Sequence, residues 1–149
     1  MRDTIADACS HARRKIAIYA PTLDPAYLNA PSVIDALAVV CTGGSQNRIR
    51  ILVDQGDRSV RDNPRLIALT RRVSDFIDIR ELGEETAATM EMFILIDRAG
   101  YVHQADADKA QCVVDLEDPT RAGAFANRFD RMWERSVPIG ELHVLGLGR

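Results

Sequence analysis

Met92-Phe-Ile-Leu-Ile-Asp97, followed by Arg98-Ala99-Gly100 and Tyr101-Val-His103, constrains this chain more than any other stretch. Four consecutive apolar residues bounded by turn formers read as a buried strand, a short turn and a returning strand. A strand that is apolar on successive residues is covered on both faces, which calls for helices on either side of a sheet. The rest of the chain supplies segments of both kinds.

Residues 3–14 read as a helix with Ile5, Ala8, Cys9 and Ala12 on one face. Asp3 or Thr4 is its expected cap, and Arg13, Arg14 and Lys15 complement its C-terminal dipole. Lys15–Ala20 is a strand with Ile16 and Ile18 on one face and Ala17 and Tyr19 on the other. Pro21 ends it, and the proline-containing segment to Ala30 reads as irregular, a pocket rim or a rigid connector. Ser32, with Asp35 three residues on, predicts a capping box for a helix whose stripe is Ile34, Leu37, Ala38 and Cys41. Arg48–Asp54 is a strand and Gln55–Asp62 a polar loop.

Asn63-Pro64 opens a helix with Leu66, Leu69, Thr70 and Val73 inward and Arg61, Arg65, Arg71 and Arg72 as solvated charges. Phe76–Arg80 and Gln111–Leu116 complete the strands. Asp118-Pro119 starts a last helix whose stripe is Phe125, Phe129, Met132 and Trp133. Aromatics bury the most area per residue, so this helix is the expected plug of one sheet face, with Trp133 largely buried. The fold expectation is therefore α/β: a single domain over residues 1–149, a mixed sheet flanked by helices, with its core at about 3–136 and a tail from 137.

At 149 residues, 46% apolar and 28% charged, the chain suits one soluble globular domain. No secretory signal or bilayer-length apolar run is visible, and Cys9, Cys41 and Cys112 form no C-x-x-C pair. Buried, reduced thiols in a cytoplasmic protein are the expectation. A net charge of −3 weighs against a general nucleic-acid binder, which usually shows a basic surface. No cofactor is implied, because Gly43-Gly44 precedes a strand where a phosphate cradle would follow one.

The order of elements, with RIRILVD at 48–54, the strand ending at Asp97 and the helix ending in FDRMWERS, resembles the phospholipase D-like superfamily. That superfamily carries His-x-Lys-x4-Asp on its catalytic strand. With Asp97 as the motif aspartate, Met90 stands at the histidine position and Met92 at the lysine position. Methionine neither attacks phosphorus nor balances phosphoryl charge. Gln104–Ala107 (QADA) likewise lacks the superfamily's downstream hydroxyl and amide. The resemblance thus implies a degenerate bacterial branch, a pseudoenzyme with no catalytic residues. Asp97 itself has a structural explanation as a hairpin side-chain cap.

The first functional reading is a non-catalytic binding or regulatory module. The resemblance implies a homodimer, or a hetero-complex through the same face, whose cleft is lined by Met90, Glu91, Met92, Asp97 and His103. It also suggests a functional link to an acetyltransferase and no membrane partner. An alternative is a metal-assisted hydrolase using His103, Asp106 and Asp108, the only concentrated set of potential ligands. His11 and His143 have no nearby acidic partner in sequence and receive no role. A further alternative is a nucleic-acid-binding module supported by the helix 63–73 with Arg58 and Arg61 before it, weighed against the acidic total.

Overall fold

A computed structural model describes residues 1–140 and 142. Within them the chain forms six helices and one seven-stranded mixed sheet. In chain order these are α1 (Arg2–Ser10), β1 (Lys15–Tyr19), α2 (Pro25–Leu28), α3 (Pro31–Thr42), β2 (Arg48–Val53), α4 (Gly56–Asp62) and α5 (Pro64–Arg72). Then follow β3 (Ile77–Glu81), β4 (Met92–Ile96), β5 (Gly100–Gln104), β6 (Val113–Asp115), α6 (Pro119–Glu134) and β7 (Val137–Pro138). The strand order is β6-β5-β4-β1-β2-β3-β7. β1, β2 and β3 run parallel, with helices in each crossover, and every other neighbour pair is antiparallel. The α/β expectation holds, and β4 is an interior strand with all five residues buried.

The two sheet faces follow from alternation along the strands. Ile16, Ile18, Ile49, Ile51, Ile77, Ile79, Met92, Ile94, Ile96 and Val102 point to one side, where they pack with α1, α3 and α5. Ala17, Tyr19, Leu52, Phe93, Leu95 and Tyr101 point to the other, where α6 delivers Phe125 and Phe129. The first side is a continuous aliphatic core. The second is smaller and aromatic. Cys9 and Cys41 lie in the aliphatic core, and burial pushes their thiols up to about 12 and about 11. They are protonated, unreactive packing residues.

Several local expectations are corrected. The helix expected over 3–14 ends at Ser10. The segment 21–30 contains the short helix α2, capped by Asp24 accepting from the Ala26 amide at 2.9 Å, and the polar loop 55–62 is largely α4. Ser32 caps nothing: Pro31, with φ already fixed and no amide hydrogen to satisfy, starts α3 two residues earlier than a Ser32 cap would. Asn63 does sit at the start of α5, yet its side chain donates to the Leu23 and Ser59 carbonyls. Asn29, 36 positions away, accepts from the Arg65 amide at 2.8 Å and from Leu66 at 3.2 Å in its place. A cap supplied across a tertiary contact leaves no local sequence signature. Glu141 and residues 143–149, including His143 and most of the expected tail, lie outside the described residues.

Trp133 is the largest packing correction. Phe129 is fully buried and is the plug, whereas Trp133 is only partly covered, stacked on Phe129 at 5.6 Å. α6 crosses β4 and β5, so its last turn overhangs the boundary at β2 where the apolar surface of this face stops.

Candidate functional site

Strand register turns that boundary into a site. One row across the α6-facing side runs Tyr101, Leu95, Ala17, Arg50 and Asp78 through successive strands. The next runs His103, Phe93, Tyr19, Leu52, Arg80 and Pro138. Apart from His103, both rows are apolar or aromatic where α6 covers them and become charged toward β3. Arg48 and Arg50 sit two apart on β2, so both project to this uncovered side.

The arginines are held over aromatic rings. The Arg50 guanidinium lies 4.9 Å from the Phe129 ring centre and 5.5 Å from that of Trp133. Arg80 lies 5.8 Å from Trp133 and donates to Ser136 through Nε at 2.7 Å and Nη2 at 2.9 Å. Arg48 stands over Phe76 at 5.4 Å. A guanidinium on an aromatic face is oriented by the ring quadrupole and keeps several of its five donors for other partners. Asp130 accepts from Arg50 at 3.1 Å, a half-exposed pair of small energetic weight.

Around these side chains lies an open depression of about 500 Å³, walled by Arg48, Arg50, Asp78, Arg80, Trp133 and Ile139. A second hollow of about 570 Å³ over Ala17 shares Arg48, Arg50 and Trp133 with it. Asp78 reaches solvent, but its low position in the depression desolvates it and pushes its carboxyl above the usual range, with Arg80 pulling the other way. Three arginines and a partly exposed indole around an open cavity suit a planar, anionic ligand.

The residues expected to line one cleft are not brought together. Met92 is 5% exposed and faces the aliphatic core, whereas Met90 is 58% exposed before the strand. Met90 lies before β4, and alternation sends Glu91 to the α6 side and Met92 to the other. Glu91 accepts from His103 Nε2 at 2.9 Å and from the Arg128 guanidinium on α6. Burial pushes the Glu91 carboxyl up, but the hydrogen bonds and charges of Arg128 and His103 outweigh it and hold the group below its usual range. His103 also packs on Phe125 at 4.9 Å. This trio ties the loop before β4 to α6, and the Tyr19 hydroxyl reinforces it by accepting from the Thr89 amide at 3.0 Å.

Asp97 lies at the opposite end of β4, at a φ of 53° that aspartate tolerates better than most residues. Its carboxylate accepts from the backbone amides of Arg13, Arg14 and Lys15 at 2.9–3.1 Å. It is a tie between the hairpin and the start of β1, a longer-range role than a hairpin cap. Asp106 caps its own turn by accepting from the Asp108 amide at 2.9 Å, and His103 is engaged with Glu91. Among the described residues no group of three potential ligands could hold a metal, so His103, Asp106 and Asp108 form no metal site there.

Arg48, Arg50 and Arg80 were not singled out by the sequence reading. Their signal was present: Arg48 and Arg50 alternate with isoleucines in RIRILVD, as Asp78 and Arg80 do in FIDIR. Among the described residues no helix is long and apolar enough to cross a membrane.

No curated protein matches the chain. Among solved structures it is similar to one described as "Structure of TrmBL2, an archaeal chromatin protein, shows a novel mode of DNA binding", with a TM-score of 0.63 and 13% identity. The likeness covers 91% of this chain and 49% of that one, so the chain spans about half the length of its structural neighbour. At that identity the likeness speaks for the fold. The resemblance to the phospholipase D-like superfamily, and with it the reading as a degenerate pseudoenzyme of that superfamily, is overturned by these findings. Over residues 1–145 the sequence matches the family described as a domain of unknown function, DUF7931, and the chain belongs to that family.

Proposed function

We propose that the chain is a nucleic-acid-binding module that takes a strand on the uncovered half of its sheet. The observation that carries this reading is the set Arg48, Arg50 and Arg80 around the partly exposed Trp133 in an open depression. Phosphates pair with guanidinium forks, while bases stack on indole and guanidinium planes. The net charge of −3 was read against such a partner, but a total says nothing of distribution. Of the helix 63–73 and the two arginines before it, Arg58 and Arg61 pair with Asp62 at 3.5 Å and are the weaker candidates. The similarity to a DNA-binding chromatin protein agrees with this reading.

The test is fluorescence anisotropy of a labelled single strand of about 12 nucleotides at about 50 mM salt. Saturable binding is expected, weakening as salt rises with a log–log slope of about −2 or steeper, about 0.7 for each of the three phosphates these arginines would hold. Arg48→Ala with Arg50→Ala should weaken it about tenfold or more while the melting temperature stays close to wild type. Absence of saturable binding, or binding indifferent to the double substitution, would overturn the proposal.

The homodimer was implied by the phospholipase D-like resemblance, through a face carrying Met90 and Met92; the binding surface proposed here uses neither methionine.

A further inference from the structure

A second basic surface lies on the far flank of α6. Arg121, Arg128, Arg131 and Arg135 follow one another at helical spacings of seven, three and four, which aligns them in a single stripe. Arg128 is committed to Glu91 and Arg121 lies over Tyr101. Arg131 and Arg135 are exposed and make no ion pair among the described residues. With Arg128 they line a groove of about 350 Å³ whose other wall is Glu85, Thr86 and Ala87.

That wall is set firmly against the helix. A Cβ at Gly83 would lie 2.2 Å from the Arg135 carbonyl oxygen, so only glycine lets the chain pass so close. Thr89 and Glu91 fix the other end of the same loop to Tyr19 and Arg128. The groove is therefore a held feature.

Trp133 is two residues from both Arg131 and Arg135, which puts it on the opposite flank of the same last turn. We infer that a single strand seated at Trp133 continues around the C-terminal end of α6 onto Arg131 and Arg135, so that the module reads a polymer and not a mononucleotide. This rests on the nucleic-acid reading above. A helix with its side chains is about 10–12 Å across, and a stacked strand rises about 3.4 Å per nucleotide, so the path needs about four nucleotides. Free strands bend and splay their bases around such an edge. A stiff duplex does so only at a deformation cost.

The test uses the full chain and the same labelled strand, with Arg131→Ala plus Arg135→Ala beside the Arg48→Ala plus Arg50→Ala variant. Loss of two phosphate contacts should make the salt slope shallower by about 1.4 and weaken binding about tenfold at low salt. Because Arg131 and Arg135 are exposed, the melting temperature should be unchanged. A duplex of the same sequence should bind about tenfold more weakly than the strand, because it offers no free base faces to stack. If the Arg48/Arg50 variant loses binding while the Arg131/Arg135 variant keeps wild-type affinity and slope, the extended path is refuted and the sheet site stands. Equal or tighter binding of the duplex would refute the single-strand path as well. No binding of any probe to the wild type would bring down both.

Discussion

The two faces of the sheet solve different problems with the same strands. The side under α1, α3 and α5 is aliphatic from β5 to β3, and its strand residues are buried. The side under α6 begins in the same way, with Phe93, Phe125 and Phe129 fully or almost fully buried, then changes to Arg50, Asp78 and Arg80 where the helix stops. One helix cannot cover a seven-stranded sheet, and the strand residues beyond its reach are those that tolerate solvent. The comparison teaches that the first face specifies the fold, while the second divides its surface between folding and recognition. Closed packing tolerates no charge, and an open edge needs it.

The largest expected effect tests the closed face. Met92→Glu would bury a carboxylate in the tight space that Met92 shares with Ala20, Leu28 and Gln104, at a cost of about 4 kcal/mol or more. Circular dichroism should show no cooperative melt, whereas Met90→Glu, at a side chain 58% exposed, should melt like wild type. A folded Met92→Glu protein would break the assignment of that face as dry.

Next comes the boundary on the α6 side. Phe129→Ala should cost about 3–5 kcal/mol in denaturant unfolding, as for a buried aromatic truncated to a cavity. Trp133→Ala should cost about 1–2 kcal/mol, because part of the indole is already wet and the space it leaves fills with solvent. Equal costs for the two would erase the boundary between plug and platform.

The smallest effect concerns the tie that holds α6 to the loop before β4. The Glu91 carboxyl is lower in the folded chain than its ordinary value of 4.5, so it contributes stability that is present above that value. The contribution fades as pH falls from about 4.5 through the lower folded value, where protonation releases Arg128 and His103. Melting followed between roughly pH 5 and pH 3 should show the wild type losing more stability than Glu91→Gln. Parallel curves would mean that the trio holds nothing in place.

Much of this was legible in the sequence. The run Met92–Ile96 determined an interior strand, since no exposed strand carries apolar side chains on both faces. The Ile/Ala alternation of 15–20 and the Phe125–Phe129 spacing determined which side chains meet in the core. Asp118-Pro119 announced α6 correctly, with the Asp118 carboxylate accepting from the Arg121 amide at 3.0 Å, because that cap is a local bond.

Other features were decided only by tertiary structure. Met90 and Met92 looked like a pair, but Met92 opens β4 and packs into the core while Met90 precedes the strand and stays in water. Asp97 binds amides 82 to 84 positions away, and Asn29 caps a helix 36 positions on, so no local window contains either partner. Which arginines face an open cavity depends on where one helix happens to stop across the sheet. That is a property of packing: sequence period fixes the side on which a residue points, and only the assembled layers fix whether anything lies above it.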